Sequence, residues 1–171
     1  MLITHRRDPR RPARGVTLIE LLITLVVLAV SLSLAAPTFT QQIANYRVRS
    51  ASASIVDGLN FARAEAARRN TPVTFTLDAS GPGWKAQQGN DTLQSRAGGE
   101  TPGVSATSGN GELALTFTPT GQVDTSAARL TTVTLASAVP RTDGRRIDIF
   151  GGGLIRVCDP TLTAADDPRR C

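Results

Sequence analysis

Large and chemically reactive side chains are scarce in this chain. Aromatic residues make up only 4% of its 171 residues. A core must therefore be filled from Val, Leu, Ile and Ala, with Phe61, Phe75, Phe117, Phe150 and Trp84 as the few large fillers. The length suits one domain of ordinary size with appendages, not two cores. Histidine occurs once, as His5, and cysteine twice, as Cys158 and Cys171. Two cysteines without a histidine nearby do not make a metal centre, and no serine lies in a nucleophile motif, so the pattern argues against an enzyme and no cofactor is expected. Positive charge is also scarce once it is located. Residues 1–15 hold Arg6, Arg7, Arg10, Arg11 and Arg14 against Asp8, whereas residues 16–171 hold 14 basic and 13 acidic groups. The net charge of +5 belongs mostly to this leader, which removes the electrostatic ground for a nucleic-acid partner of the remainder.

What the chain has in abundance is one apolar run. Residues 16–36 read VTLIELLITLVVLAVSLSLAA, 21 residues with a single ionisable group, Glu20. As a helix this run is about 31 Å long, close to the hydrocarbon thickness of a bilayer. Five arginines precede it and only Arg47 and Arg49 follow shortly after, which places the N-terminus in the cytoplasm and the rest of the chain outside. A secretory signal would have a shorter apolar core and a small-residue cleavage site, to which Leu34-Ala35-Ala36 is a weak match. In a reducing cytosol Cys158 and Cys171 would be thiols; behind an export signal a disulfide is the better reading, contributing about 3 kcal/mol by constraining the unfolded chain.

Pro37 ends the apolar run but predicts a kink in the helix instead of a stop, because its missing N–H leaves the Ser33 carbonyl without a partner. Beyond it Val48, Ala51, Ile55, Leu59, Ala62 and Ala66 recur at helical spacing on one face, and Asn70-Thr71-Pro72 ends the helix. Alternating patterns then predict strands at 73–77, 84–87, 113–118, 130–135, 146–150 and 154–158, with turns at 80–83, 108–111, 119–121 and 143–144. Residues 98–110, rich in Gly, Ser and Thr, read as a mobile loop. The fold class is α+β: a long N-terminal helix packed on an antiparallel sheet domain.

The junction Arg14-Gly15-Val16-Thr17-Leu18-Ile19-Glu20 resembles the processing site and helix start of type IV pilins and type II secretion pseudopilins. Val16 stands where those proteins have phenylalanine or methionine, and Pro37 where they have a helix-kinking proline. Three further stretches are similar to pseudopilin H and the FimT/FimU minor pilins: residues 61–74, 115–121 and 153–160. The resemblance implies a leader, residues 1–15, removed by a prepilin peptidase, and N-methylation of Val16. It also implies a transmembrane half-helix over 16–36, an amphipathic half over 37–70 and a β-rich periplasmic domain over 71–171. Partners would be other minor and major pilins or pseudopilins, with the protein held in the cell inner membrane.

Physical chemistry supports the junction independently. A charged carboxylate in a lipid-embedded helix costs roughly 2.5–3.5 kcal/mol. Cleavage after Gly15 would free a Val16 amine able to offset Glu20, within one chain or between staggered neighbours. The plainer reading is that Glu20 is hydrated among the headgroups. Some FimT-like proteins capture DNA through a Gly-Arg-x-Arg tail; here the aligned stretch is Gly153-Leu154-Ile155-Arg156, with leucine in place of the first arginine. Arg145, Arg146 and Arg156 are the candidate contacts, but residues 141–171 hold six arginines against five aspartates, so nucleic acid is not expected as a partner. The alternatives are a DNA-binding minor pilin and a membrane-tethered domain that does not assemble.

Overall fold

The structure is a computed structural model that describes residues 15–164 and 166–171, without the side chains of residues 34–37. The arginine leader and the Pro37 ring, on which the expected kink depends, lie outside the described residues. Among the described residues one α-helix, α1 (Leu18–Arg69), is followed by eight strands: β1 (Val73–Leu77), β2 (Trp84–Gln88), β3 (Asp91–Arg96), β4 (Val104–Ser108), β5 (Ala114–Phe117), β6 (Thr132–Ser137), β7 (Arg145–Ile149) and β8 (Ile155–Cys158). The chain divides into two units, residues 1–37 and 38–171. In the first, residues 15–33 are exposed throughout.

In the second unit, all six residues of the predicted helical stripe, Val48, Ala51, Ile55, Leu59, Ala62 and Ala66, are buried. The helix ends where Asn70 adopts a left-handed conformation, φ 52°, and the Thr71 N–H donates to the Ala66 carbonyl at 3.2 Å. Asparagine tolerates that conformation, and Pro72 cannot continue a helix.

The strands form the expected antiparallel sheet domain as two four-stranded sheets, ordered β3-β2-β1-β5 and β4-β6-β7-β8. Register aligns the buried rows. Phe75 pairs with Ala86 on one side and Leu115 on the other, while Ala106 pairs with Leu135 and Val133 with Ile147. These residues and the helical stripe belong to one hydrophobic cluster. The expected loop at 98–110 is corrected: its second half is β4, which buries Val104 and Ala106 and leaves Ser105 exposed. The residues are small, so their alternation carries little hydrophobic contrast. β3 has no counterpart among the predicted strands, since it is an exposed polar edge. Phe150 is not a core filler; it stands exposed at the end of β7.

Gly58 is the one glycine within α1. The Trp84 ring lies flat against it: a Cβ added there would come within 2.6 Å of the indole Cδ2. The indole N–H donates to Ser54 Oγ at 3.0 Å, one helical turn away, and the ring stacks on Phe75 with centroids 5.7 Å apart. Glycine in a helix costs about 1 kcal/mol relative to alanine, a loss accepted here for aromatic contact with the backbone. Cys158, at the end of β8, is bonded to Cys171, closing the C-terminal segment against the second sheet.

Gly58→Ala is expected to destabilise the domain by about 1–3 kcal/mol despite its better helix propensity. Denaturant unfolding of the full chain in detergent checks this, and equal or greater stability would contradict the packing described. Replacing Cys158 and Cys171 together by serine is expected to lower the unfolding free energy by about 3 kcal/mol, measured in the same way.

Candidate assembly site

The helix begins at a defined cap. Thr17 precedes Leu18, its hydroxyl oxygen accepts the Glu20 N–H at 3.3 Å, and its carbonyl accepts the Leu21 N–H at 3.1 Å. Thr17-Leu18-Ile19-Glu20 thus has the Thr-x-x-Glu spacing of a capping box. The spacing that marks this cap is present in the sequence. Gly15 and Val16 precede the first turn in exposed, non-helical chain, with no atom within 4 Å of a Cβ built on Gly15. Glu20 lies in the first turn, where the helix dipole favours an anion. Among the described residues its carboxylate takes no hydrogen bond or ion pair. The helix after it is long and apolar enough to cross a membrane.

At the other end of α1 the charges are tied together. Arg68 grips Glu65 with two hydrogen bonds of 2.8 and 2.7 Å, and Arg69 adds a third at 2.6 Å. Arg69 also donates to Gln88 Oε1 at 3.1 Å, and Gln88 donates to Thr71, which couples the helix end to β2. The side-chain hydrogen bonds from Arg68 and then Arg69 lower the Glu65 pKa from 4.5 to about 2. Arg63 donates to the Gly153 carbonyl at 3.1 Å. Gly153 and Gly121 both have left-handed backbones, φ 81° and 76°, and a Cβ on Gly153 would strike the Gly121 carbonyl. The three stretches that resemble pseudopilin H in sequence therefore meet in space at Arg63.

The candidate DNA-contacting arginines do not form one surface. Arg145 pairs with Asp159 at 3.2 Å and Arg146 with Asp148 at 2.7 Å. Arg156 donates to the Arg170 carbonyl at 2.6 Å. Strand alternation and the pairing of Asp148 with Arg156 put Arg146 and Arg156 on one face and Arg145 on the other. Each of the first two already has an aspartate.

The long helix on two antiparallel sheets defines a pilin-like fold. It is similar to the type IV minor pilin FimU of Pseudomonas aeruginosa in two crystal forms. One matches with a TM-score of 0.57 at 20% identity, covering 69% of this chain and 92% of that one. The other gives 0.52 at 20% identity, covering 68% and 97%. Residues 51–153 match the family described as type II transport protein GspH, and residues 10–36 match the prokaryotic N-terminal methylation motif. The chain belongs to the GspH family. It is 35% identical over 91 residues to type II secretion system protein H of Xanthomonas campestris pv. campestris, a stretch that is 52% of this chain and 54% of that protein. The chain thus matches about half the length of that curated relative.

Because folding lowers the Glu65 pKa, its ion pairs stabilise the folded state above pH 4.5, and that contribution is lost as pH falls towards about 2. Glu65→Gln should unfold more easily than the unsubstituted chain at pH 6, with the difference vanishing near pH 2. Paired unfolding curves across this range check it; a pH-independent difference would contradict the assignment.

Proposed function

We propose that the chain is a minor subunit of a pilin-like filament, made as a precursor and cut between Gly15 and Val16 by a prepilin peptidase. Residues 1–15 are the leader, 16–36 the membrane half of the helix, 37–70 its amphipathic half, and 71–171 the domain exposed outside the inner membrane. Val16 is then the methylated N-terminal residue. The observation that carries this reading is Glu20, a lone carboxylate in the first turn of an exposed apolar helix inside a methylation motif.

The mechanism follows from the cost of that carboxylate. An ionised group in hydrocarbon costs roughly 2.5–3.5 kcal/mol, so Glu20 favours any arrangement that supplies a cation. Cutting after Gly15 frees the Val16 amine two residues before the helix begins. The amine of one subunit then meets Glu20 of a neighbour displaced along the filament, and this pair sets the stagger. A buried pair of this kind is better suited to selecting register than to adding stability. The exposed apolar residues, Leu18, Leu21, Leu22 and Leu25 among them, supply the packing surface. Membership of the GspH family and the resemblance to a type II secretion protein favour a secretion pseudopilus. The likeness to FimU concerns the fold alone. For DNA capture, the aspartate partners of Arg145 and Arg146 are an obstacle.

Glu20→Ala is expected to leave membrane insertion intact and abolish incorporation into filaments. Fractionation of membranes and of sheared filaments reads the two steps separately. Unchanged incorporation would overturn the role given to the carboxylate and favour a tethered domain that does not assemble.

A further inference from the structure

β8 is the outer strand of the second sheet. Its hydrogen-bonding directions follow from the hairpin that introduces it. The Phe150 N–H donates to the Leu154 carbonyl at 2.9 Å, and the Gly153 N–H to the Phe150 carbonyl at 2.8 Å, with Gly153 left-handed. Phe150 and Leu154 are thus a hydrogen-bonded pair, and so, two residues on, are Asp148 and Arg156. The groups of Ile155 and Val157 therefore point away from β7. Asp159 confirms the phase, because its N–H faces outward and donates to the Arg169 carbonyl at 2.7 Å. Among the described residues, the disulfide-tied C-terminal segment pairs with the edge there, through the bridge of Asp159 to Arg170. Among the described residues, the N–H and C=O groups of Ile155 and Val157 have no partner.

This open edge has apolar surroundings. Leu154 is 63% exposed, Phe150 45% and Val157 43%. Val157 also lines an open groove of about 320 Å³ with Arg49, Ala53, Val56, Asp57 and Arg145, so the helix forms a wall beside the strand. On the other face of β8, Arg156 projects with a carbonyl but no carboxylate for a partner among the described residues.

We infer that β8 receives an extended segment of another protein chain by strand addition. Ile155 and Val157 supply four backbone hydrogen bonds. Apolar side chains of the guest enter the groove beside Ala53 and Val56, and an acidic side chain on the alternate face pairs with Arg156. A second copy of this chain fits badly. The two-fold register that pairs Ile155 with Val157, and so uses all the outward groups, sets Arg156 against Arg156, and like charges directly opposite destabilise a pair. This inference is independent of the filament reading, since the edge is tested without assembly and Glu20 is remote from it in sequence.

The test uses the full chain, isotopically labelled in detergent micelles, and an eight-residue probe peptide alternating valine with glutamate. Saturable binding with shifts at the Ile155 and Val157 amides is expected, together with weaker binding of the peptide alternating valine with lysine. Val157→Pro removes an outward N–H that no ladder bond uses, so the fold should survive while affinity falls at least about tenfold. Arg156→Glu should reverse the preference between the two peptides. Should the proline variant unfold, the charge reversal decides alone. Unaltered binding by folded Val157→Pro, equal affinity for both peptides, or pairing of the chain with itself through these amides would overturn the inference.

Discussion

Both sheets rest on the same stripe of α1. Val48, Ile55 and Leu59 project into the cluster that also takes Phe75 and Phe117 from one sheet and Val133, Leu135 and Ile147 from the other. Burying each large aliphatic side chain contributes about 1.5–3 kcal/mol, so the helix face is the largest shared source of stability in the domain. Ala51 and Gly58 lie between these large residues and Ala62 and Ala66 follow them, all buried, and at Gly58 the Trp84 ring comes close to the helix backbone. Size alternates along the stripe as well as polarity. A uniformly bulky face would hold the sheets too far away for Trp84 to reach Ser54.

The two ends of this helix are held by opposite kinds of chemistry. At its start Thr17 satisfies backbone donors while the Glu20 carboxylate has no partner among the described residues. At its end Glu65 is saturated by two arginines, and the chain turns at Asn70 and proceeds to β1. Charge is consumed internally where the domain must be fixed. It is left available where the family's methylation motif lies.

The sequence made the helix face legible because a 3.6-residue period survives replacement of large by small apolar residues: all six residues picked by spacing are buried. Strands with bulky alternation, such as Leu115 and Phe117 or Ile147 and Ile149, were equally plain. β4 was hidden because Val104 and Ala106 alternate with serine and threonine in a stretch whose composition resembles a loop. Phe150 misled because it stands exposed just past the end of β7, and composition does not reveal on which face an aromatic residue falls. The Thr17 cap was readable from spacing. The contacts of Trp84 with Gly58 and of Arg63 with Gly153 were not, since nothing local marks a partner 26 or 90 residues away in the chain.

The chain does not finish one sheet before it begins the other: β3 belongs to the first, β4 to the second, β5 to the first and β6 to the second. β1, β2 and β3 pair as one local meander, and β6, β7 and β8 as another. β4 must wait for β6, and β5 must return past it to β1, so both closures span long stretches of chain and carry the entropy of closing large loops. A chain delivered from its N-terminus presents the helix face first and its strand partners later. During that interval the stripe offers an apolar face on which the waiting strands can gather.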